Sequence, residues 1–183
     1  MIWIIIGIGL LINILFYVIK VYNSLVKRKN MIEDQWAQID VVLKRRADLI
    51  PKLVDVIKAY AKHEKETFAD VVNLRNQFVN SSSIKEEVEN NKEVVKGLSK
   101  IMVIAEAYPE LKANENFKGL QDELSETEDK IQIARQFYND AVLNYRNILE
   151  TFPSNIIANL FNFKKIEFYE VLEEDRISPS IKF

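Results

Sequence analysis

Cysteine is absent from this 183-residue chain, and histidine occurs only once, at His63. The lack of cysteine excludes disulfide bonds and thiolate metal sites, and one histidine cannot form a multi-histidine metal site. Glycine and proline number four each, which is few for a β-rich or loop-rich fold. These absences favour long helices, and we assign no metal-binding residue.

The charges of the chain are nearly balanced, with 25 basic and 27 acidic residues and a net charge of −2. Nucleic-acid binding needs a basic excess or a basic patch, so no nucleic-acid partner is expected. The sequence also has no glycine-rich phosphate loop and no Gly-x-Ser-x-Gly nucleophile motif. We therefore predict no cofactor and assign no catalytic residue.

The first nineteen residues contain no Asp, Glu, Lys or Arg. Residues 2–19 would form about 27 Å of helix, roughly the thickness of one hydrocarbon core. A cleaved signal peptide would need a basic start and a small-residue cleavage site, and neither is seen here. A buried core helix would usually be shorter or amphipathic, whereas this run is apolar on all sides. We therefore predict a transmembrane anchor over residues 1–20.

Basic residues follow this run, and no charged side chain precedes it. They are Lys20, Lys27, Arg28 and Lys29. By the positive-inside rule, the N-terminus is expected outside and the C-terminal domain in the cytoplasm. The same four side chains are candidates for contact with anionic lipid headgroups.

Beyond the anchor, apolar residues recur at heptad spacing, which is typical of amphipathic helices that pack side by side. Three long helices are predicted: from the membrane to about Val79, from Ile84 to near Tyr108, and from Phe117 to Phe152. Polar residues interrupt the apolar rows at a few heptad positions. They are Arg46, Glu64, Thr67 and Thr127.

The expected helix ends follow from capping and breaking residues. Ser83 with Glu86 fits a capping box, and Asn114 or Asn116 would cap the third long helix. Pro153 ends that helix, and a short fourth helix is expected from Ser154.

Long amphipathic helices with short connections must bury their apolar faces against one another. We therefore predict an all-α fold: an N-terminal transmembrane helix, then an antiparallel up-down bundle of three long helices plus a short C-terminal helix. The predicted domains are the anchor at residues 1–20, the helical bundle at residues 21–170, and an extended or flexible tail at residues 171–183.

Several segments beyond the anchor form a recognisable series in order and spacing. They are residues 22–26, 35–54, 60–64, 105–113, 134–142, 152–153 and 161–163, of which Arg-Arg-Ala-Asp-Leu-Ile-Pro at 45–51 is the most specific. Over about residues 20–169 the chain resembles the LemA family of bacterial membrane proteins. The resemblance implies an N-terminal anchor in the inner membrane, a mostly helical soluble domain, and no established catalytic activity. The acidic stretch at residues 173–175 departs from the family motifs.

A set of polar residues lies on or beside the apolar faces of the first and third long helices. They are Asp40, Arg46, Glu128, Arg135 and Asn139. Burial of such groups is costly unless they are paired, so a polar network that fixes helix register is predicted. A catalytic site, simple surface exposure and a groove for a partner are the alternatives.

Aromatic residues concentrate near the end of the bundle, at Tyr145, Phe152, Phe161, Phe163, Phe168 and Tyr169. Two interpretations stay open. The aromatics form a contact surface for a partner or for lipid, or the fourth helix closes the bundle end over them.

The leading functional hypothesis is a non-enzymatic single-pass membrane protein that acts as a scaffold or adaptor for another membrane component. Its expected partners are the lipid bilayer and an unidentified membrane protein, with homo-oligomerisation as a further possibility. The alternatives are a self-assembling oligomer at the membrane surface and, less favoured, a tethered enzyme that uses buried carboxylates such as Asp40, Glu64 or Glu128.

Overall fold

The computed structural model describes residues 1–169 of the chain. All regular structure in that range is α-helical, which confirms the predicted all-α class. The helices are α1 (Ile2–Lys58), α2 (Lys65–Val79), α3 (Ile84–Glu106), α4 (Pro109–Ala113), α5 (Glu115–Glu150) and α6 (Ser154–Leu160). The predicted tail at residues 171–183 lies outside the described residues.

The capping signals act largely as predicted. The Glu86 N–H donates to the Ser83 hydroxyl oxygen at 3.3 Å, while the Glu86 carboxylate accepts from the N–H and the hydroxyl of Ser82. The reciprocal half of the box therefore uses Ser82 instead of Ser83. At the start of α5, the Phe117 N–H donates to Asn114 Oδ1 at 3.1 Å, so the cap is Asn114 and not Asn116.

The prediction of one helix from the membrane to about Val79 is wrong. α1 ends at Lys58, and the chain turns through residues 59–64 before α2 begins. The helix α2 buries Phe68, Val71 and Phe78. The turn thus divides the predicted first helix into α1 and α2. The bundle therefore has α2 as a separate helix in addition to the three long ones.

The chain divides into two compact units, and both α1 and α5 contribute to each. We call Gln38–Ile133 the central unit. Met1–Ala37, together with the described residues from Ala134 onward, forms the terminal unit.

In the central unit, contacts show the direction of the helices. Arg46 of α1 contacts Glu128 of α5, and Tyr60, just after α1, contacts Asn114, which caps the start of α5. The two helices therefore run antiparallel. The helices α2 and α3 approach closely at Gly97, where an added Cβ would lie 3.2 Å from a methyl group of Val71. Large side chains fill the core: Leu43, Ile50, Leu53, Ile57, Phe68, Ile101, Phe117 and Ile131.

In the terminal unit, the N-terminal part of α1, the C-terminal part of α5 and α6 share a second core. Its buried side chains include Leu25, Ile32, Tyr138, Val142, Tyr145, Ile157 and Ala158. The helix α6 ends in a Schellman motif, in which the Phe163 N–H donates to the Ala158 carbonyl and Asn162 has a positive φ of 57°. The chain then continues in extended form to Tyr169.

The first nineteen residues lie in α1, apart from Met1, and their large apolar side chains are exposed. None of this apolar window is buried within the structure. By length and composition it is the one helix among the described residues that could cross a membrane. A role as a core helix of the domain is therefore excluded.

Candidate functional site

The most deeply buried charge in the described residues belongs to Arg46 of α1, which is 2% exposed. Its guanidinium donates to Oε2 of Glu128 on α5 at 2.5 Å and to Oδ1 of Asn91 on α3. Asn91 is buried as well, whereas the Glu128 side chain is 42% exposed. Side chains of three helices of the central unit thus meet at the Arg46 guanidinium. The guanidinium is buried, and the carboxylate that binds it is partly exposed.

Asp40 forms a separate cluster on the same unit. It accepts a hydrogen bond from Lys44 at 2.7 Å, which raises the pKa of the Lys44 ammonium. The carboxyl group of Glu87 on α3 lies close to that of Asp40. Burial, reinforced by this carboxyl neighbour, raises the pKa of Glu87 from 4.5 to about 7. Glu87 Oε1 is buried and has no hydrogen-bond partner among the described residues.

The Glu87 carboxyl group makes stability depend on pH. Because its pKa is raised by folding, its stabilising contribution is complete below pH 4.5 and is lost as pH rises through about 7. We expect Glu87→Gln, which mimics the protonated acid, to stabilise the full chain in detergent by roughly 1 kcal/mol at about pH 8, after solvent screening is allowed for, and to change little at about pH 4.5. Thermal unfolding followed by circular dichroism measures this difference. The exposed Glu89→Gln, on the same helix, is the control, and an equal effect of both variants at both pH values would contradict the prediction.

The last two predicted network residues lie in the terminal unit. The Arg135 guanidinium stands over the Tyr169 ring at 4.6 Å, and the Trp36 ring packs on the same ring at 6.0 Å between centroids. The Asn139 amide accepts from the Tyr169 N–H at 2.8 Å and donates to the Tyr169 carbonyl at 3.3 Å. These groups therefore bind the backbone and ring of Tyr169.

The extended segment after α6 is held by side chains of α5. The Tyr145 hydroxyl donates to the Lys164 carbonyl at 2.9 Å, and the Tyr138 hydroxyl donates to the Glu167 carbonyl at 3.2 Å. Together with Asn139, these residues give residues 164–169 a row of polar contacts along one helix face. Side chains of α5 therefore bind residues 164–169 through the backbone of this segment.

The five predicted network residues thus fall into three clusters. Arg46 pairs with Glu128, Asp40 lies with Lys44, and Arg135 and Asn139 contact Tyr169. Whether these contacts fix helix register stays a prediction. Sequence reasoning missed Asn91 and Glu87, although Asn91 occupies the apolar face of α3, three residues after Val88 and four before Val95.

The predicted lipid-contact residues lie just after the apolar run on α1. Lys20, Lys27 and Lys29 are exposed, Arg28 is half-buried, and Lys29 forms an exposed ion pair with Glu33 at 3.7 Å. Contact of these side chains with lipid stays a prediction.

A cavity of about 950 Å³ lies beside the turn between α1 and α2. Its polar lining comes from Lys58, Lys62, Lys65, His63 and Asn73, and none of the described residues that line it is a carboxylate. Among residues 1–169, no group of three or more His, Asp or Glu side chains could hold a metal ion.

A family model described as the LemA family matches residues 35–183, which is most of the chain. The chain belongs to the LemA family. It is 24% identical to Protein LemA of Metamycoplasma hominis over 168 residues, which cover 89% of this chain and 76% of that protein.

A second relative of this LemA family member is Magnetosome protein MamQ 2 of Paramagnetospirillum magneticum. The two are 22% identical over 175 residues, which cover 81% of this chain and 64% of MamQ 2. The chain thus spans less than two thirds of the MamQ 2 length. Neither the family description nor the names of these relatives describe an enzyme. Together with the exposed apolar helix, this relationship indicates a membrane-associated protein.

Proposed function

We propose that this LemA family protein is a non-enzymatic single-pass membrane protein whose helical domain is a scaffold or adaptor for another membrane component. The observation that carries the proposal is the continuity of α1. The same helix contains the exposed apolar run at residues 2–19 and then buries Val21, Leu25 and Ile32 in the core of the terminal unit. A partner bound by that unit is thereby held near the bilayer surface.

The same continuity supports an anchor that is retained. Cleavage just after the apolar run would cut inside a continuous helix and free Val21 and Leu25 from the chain that precedes them. The exposed Lys20, Lys27 and Lys29 on the far side of the run support a cytoplasmic domain with the N-terminus outside.

The orientation of the protein in the membrane is tested with one introduced cysteine, because the chain has none of its own. A single cysteine at Gly119, where a side chain would meet no neighbour, is placed in the full chain in cells. We expect a membrane-impermeant maleimide to label it in inverted inner-membrane vesicles and not in intact spheroplasts. Labelling in spheroplasts would overturn the cytoplasmic assignment.

The scaffold role is tested by proximity labelling from the C-terminal end of the full chain in living cells. We expect repeated recovery of a defined membrane protein, absent when the labelling enzyme is fused to the anchor of an unrelated protein. Recovery of further copies of this chain alone would favour the self-assembling oligomer instead. Recovery of neither would reject the scaffold.

A further inference from the structure

The position of α6 follows from the antiparallel contacts of the terminal unit. The Trp36 ring on α1 packs edge-on against the Tyr138 ring on α5, with centroids 5.6 Å apart. Further along, the Tyr22 ring meets Phe161 at 4.9 Å and Phe163 at 5.6 Å. From Tyr138 to Phe161, the contacts with α1 therefore move from Trp36 to Tyr22, toward the N-terminal end of α1. Tyr22 lies only three residues, or roughly 4.5 Å of helix, beyond the apolar run.

The outward side of α6 carries two large exposed apolar side chains beside the exposed Asn159. Ile156 is 58% exposed and Leu160 is 75% exposed, and their spacing of four residues places them on one side of the helix. Phe152, in the turn before α6, is also 75% exposed. Phe161, which follows α6, is also exposed. The opposite side, with Ile157 and Ala158, is buried, so α6 closes the core with one face and leaves the apolar side chains of the other uncovered.

Charged residues border this segment of the chain, and none lies within it. Residues 151–163 contain no Asp, Glu, Lys or Arg, and Lys164 and Lys165 follow immediately. These two lysines and Lys29 line a cavity of about 540 Å³ beside Tyr22 and the Phe161 end of α6. An apolar face rich in Phe and Leu with lysines at its border is typical of helices that lie in the membrane interface.

We propose that α6 lies in the interfacial layer of the same bilayer that α1 crosses. Ile156 and Leu160 face the acyl chains, and the lysines of the neighbouring cavity contact anionic headgroups. The bilayer is the occupant that the structure favours, because this face begins about one helical turn from the end of the membrane span. The proposal rests on the anchor proposed above and adds a second attachment, which fixes the tilt of the terminal unit on the membrane.

The test uses the full chain in nanodiscs of phosphatidylcholine and phosphatidylglycerol. Single-cysteine variants Ile156→Cys and Leu160→Cys carry a nitroxide, and collision with oxygen is compared with collision with a water-soluble nickel complex. We expect a several-fold higher oxygen-to-nickel ratio at both sites than at Phe137→Cys. Phe137 is the matched control, because it is an exposed apolar residue on α5 of the same unit, roughly 20 Å of helix before Glu150.

A fourth label at Leu11→Cys separates this proposal from the anchor itself. If Leu11 is lipid-exposed while residues 156 and 160 match Phe137, the interfacial α6 is wrong and the anchor stands. If Leu11 is exposed to the nickel complex, the anchor fails as well. Spin–spin broadening at Leu160 that disappears on dilution with unlabelled protein would show a second copy on this face and would overturn the bilayer as its occupant.

Discussion

Replacing Glu128 with leucine is expected to destabilise the central unit by about 2–4 kcal/mol, more than its half-exposed position suggests. The reason lies in its partner. Arg46 is 2% exposed, and its guanidinium donates to the Glu128 carboxylate at 2.5 Å. Loss of that carboxylate leaves a buried positive charge without its acidic contact, and such a charge is far costlier to hold than an exposed one.

Replacement of the other partner of this ion pair, Arg46, is expected to cost less stability. Arg46→Met removes the charge and keeps an apolar stem of similar reach, so the main loss is the hydrogen bond to Asn91, about 1–2 kcal/mol. Glu128 is partly exposed and can be solvated when its partner is gone. The double variant Arg46→Met with Glu128→Leu is therefore expected to be more stable than Glu128→Leu alone.

Thermal and urea unfolding of the full chain in a mild detergent, followed by circular dichroism, measures all three variants. Glu126→Leu is the matched control, since Glu126 lies on the same helix and forms an exposed ion pair with Lys130. Its loss is expected to cost less than about 0.5 kcal/mol. Equal effects of the Glu126 and Glu128 substitutions would refute the buried-charge explanation.

The apolar periodicity predicted the long helices well, because burial of one face is what stabilises each of them. The third long helix was expected from Phe117 to Phe152 and α5 runs Glu115–Glu150. The turn after α1 escaped prediction because no Gly or Pro lies in residues 59–64. The polar residues Glu64 and Thr67 at two successive heptad positions were the available signal.

Polar residues on the apolar faces of helices indicate buried polar groups. Arg46, Asn91 and Thr127 each occupy such a face in a different helix, and all three are buried. Thr127 satisfies its hydroxyl with the Glu123 and Leu124 carbonyls of its own helix, while Arg46 and Asn91 contact each other. Periodicity can show that a polar group is buried, but its partner depends on how the helices are aligned, which one sequence does not determine.

The contacts of Arg135 and Asn139 could not be foreseen for a different reason. Their partner, Tyr169, lies in an extended segment without periodicity, so no pattern relates it to α5. Side chains of α5 hold this segment through its backbone, and backbone groups leave no trace in the sequence. The aromatic cluster was visible, but the way it divides between the core, at Tyr145, and the surface, at Phe152, was not.

The substitution Asn139→Leu is expected to release the extended segment at residues 164–169 from α5. The Asn139 amide makes two hydrogen bonds to the backbone of Tyr169, which is a buried residue. Leucine has a similar size and can make neither. Loss of both bonds is expected to lower the free energy of local opening by about 2–3 kcal/mol, since each buried backbone group is costly to leave without its partner.

Hydrogen exchange of the full chain in detergent, followed by mass spectrometry, measures this opening. A loss of about 2 kcal/mol corresponds to roughly thirty-fold faster exchange, and we expect it in residues 164–169 and not in α3. Asn144→Leu is the matched control, because Asn144 is an exposed asparagine on the same helix.

A third variant tests whether the two hydrogen bonds act separately. Asn139→Asp keeps an acceptor for the Tyr169 N–H and loses the donor to its carbonyl, so its exchange rate should fall between those of the wild type and Asn139→Leu. If all three proteins exchange alike, the segment is held by the Tyr138 and Tyr145 hydroxyls and by ring packing of Tyr169 on Trp36. Faster exchange confined to Asn139→Leu and Asn139→Asp would instead identify one asparagine side chain as the attachment point for the C-terminal part of the terminal unit.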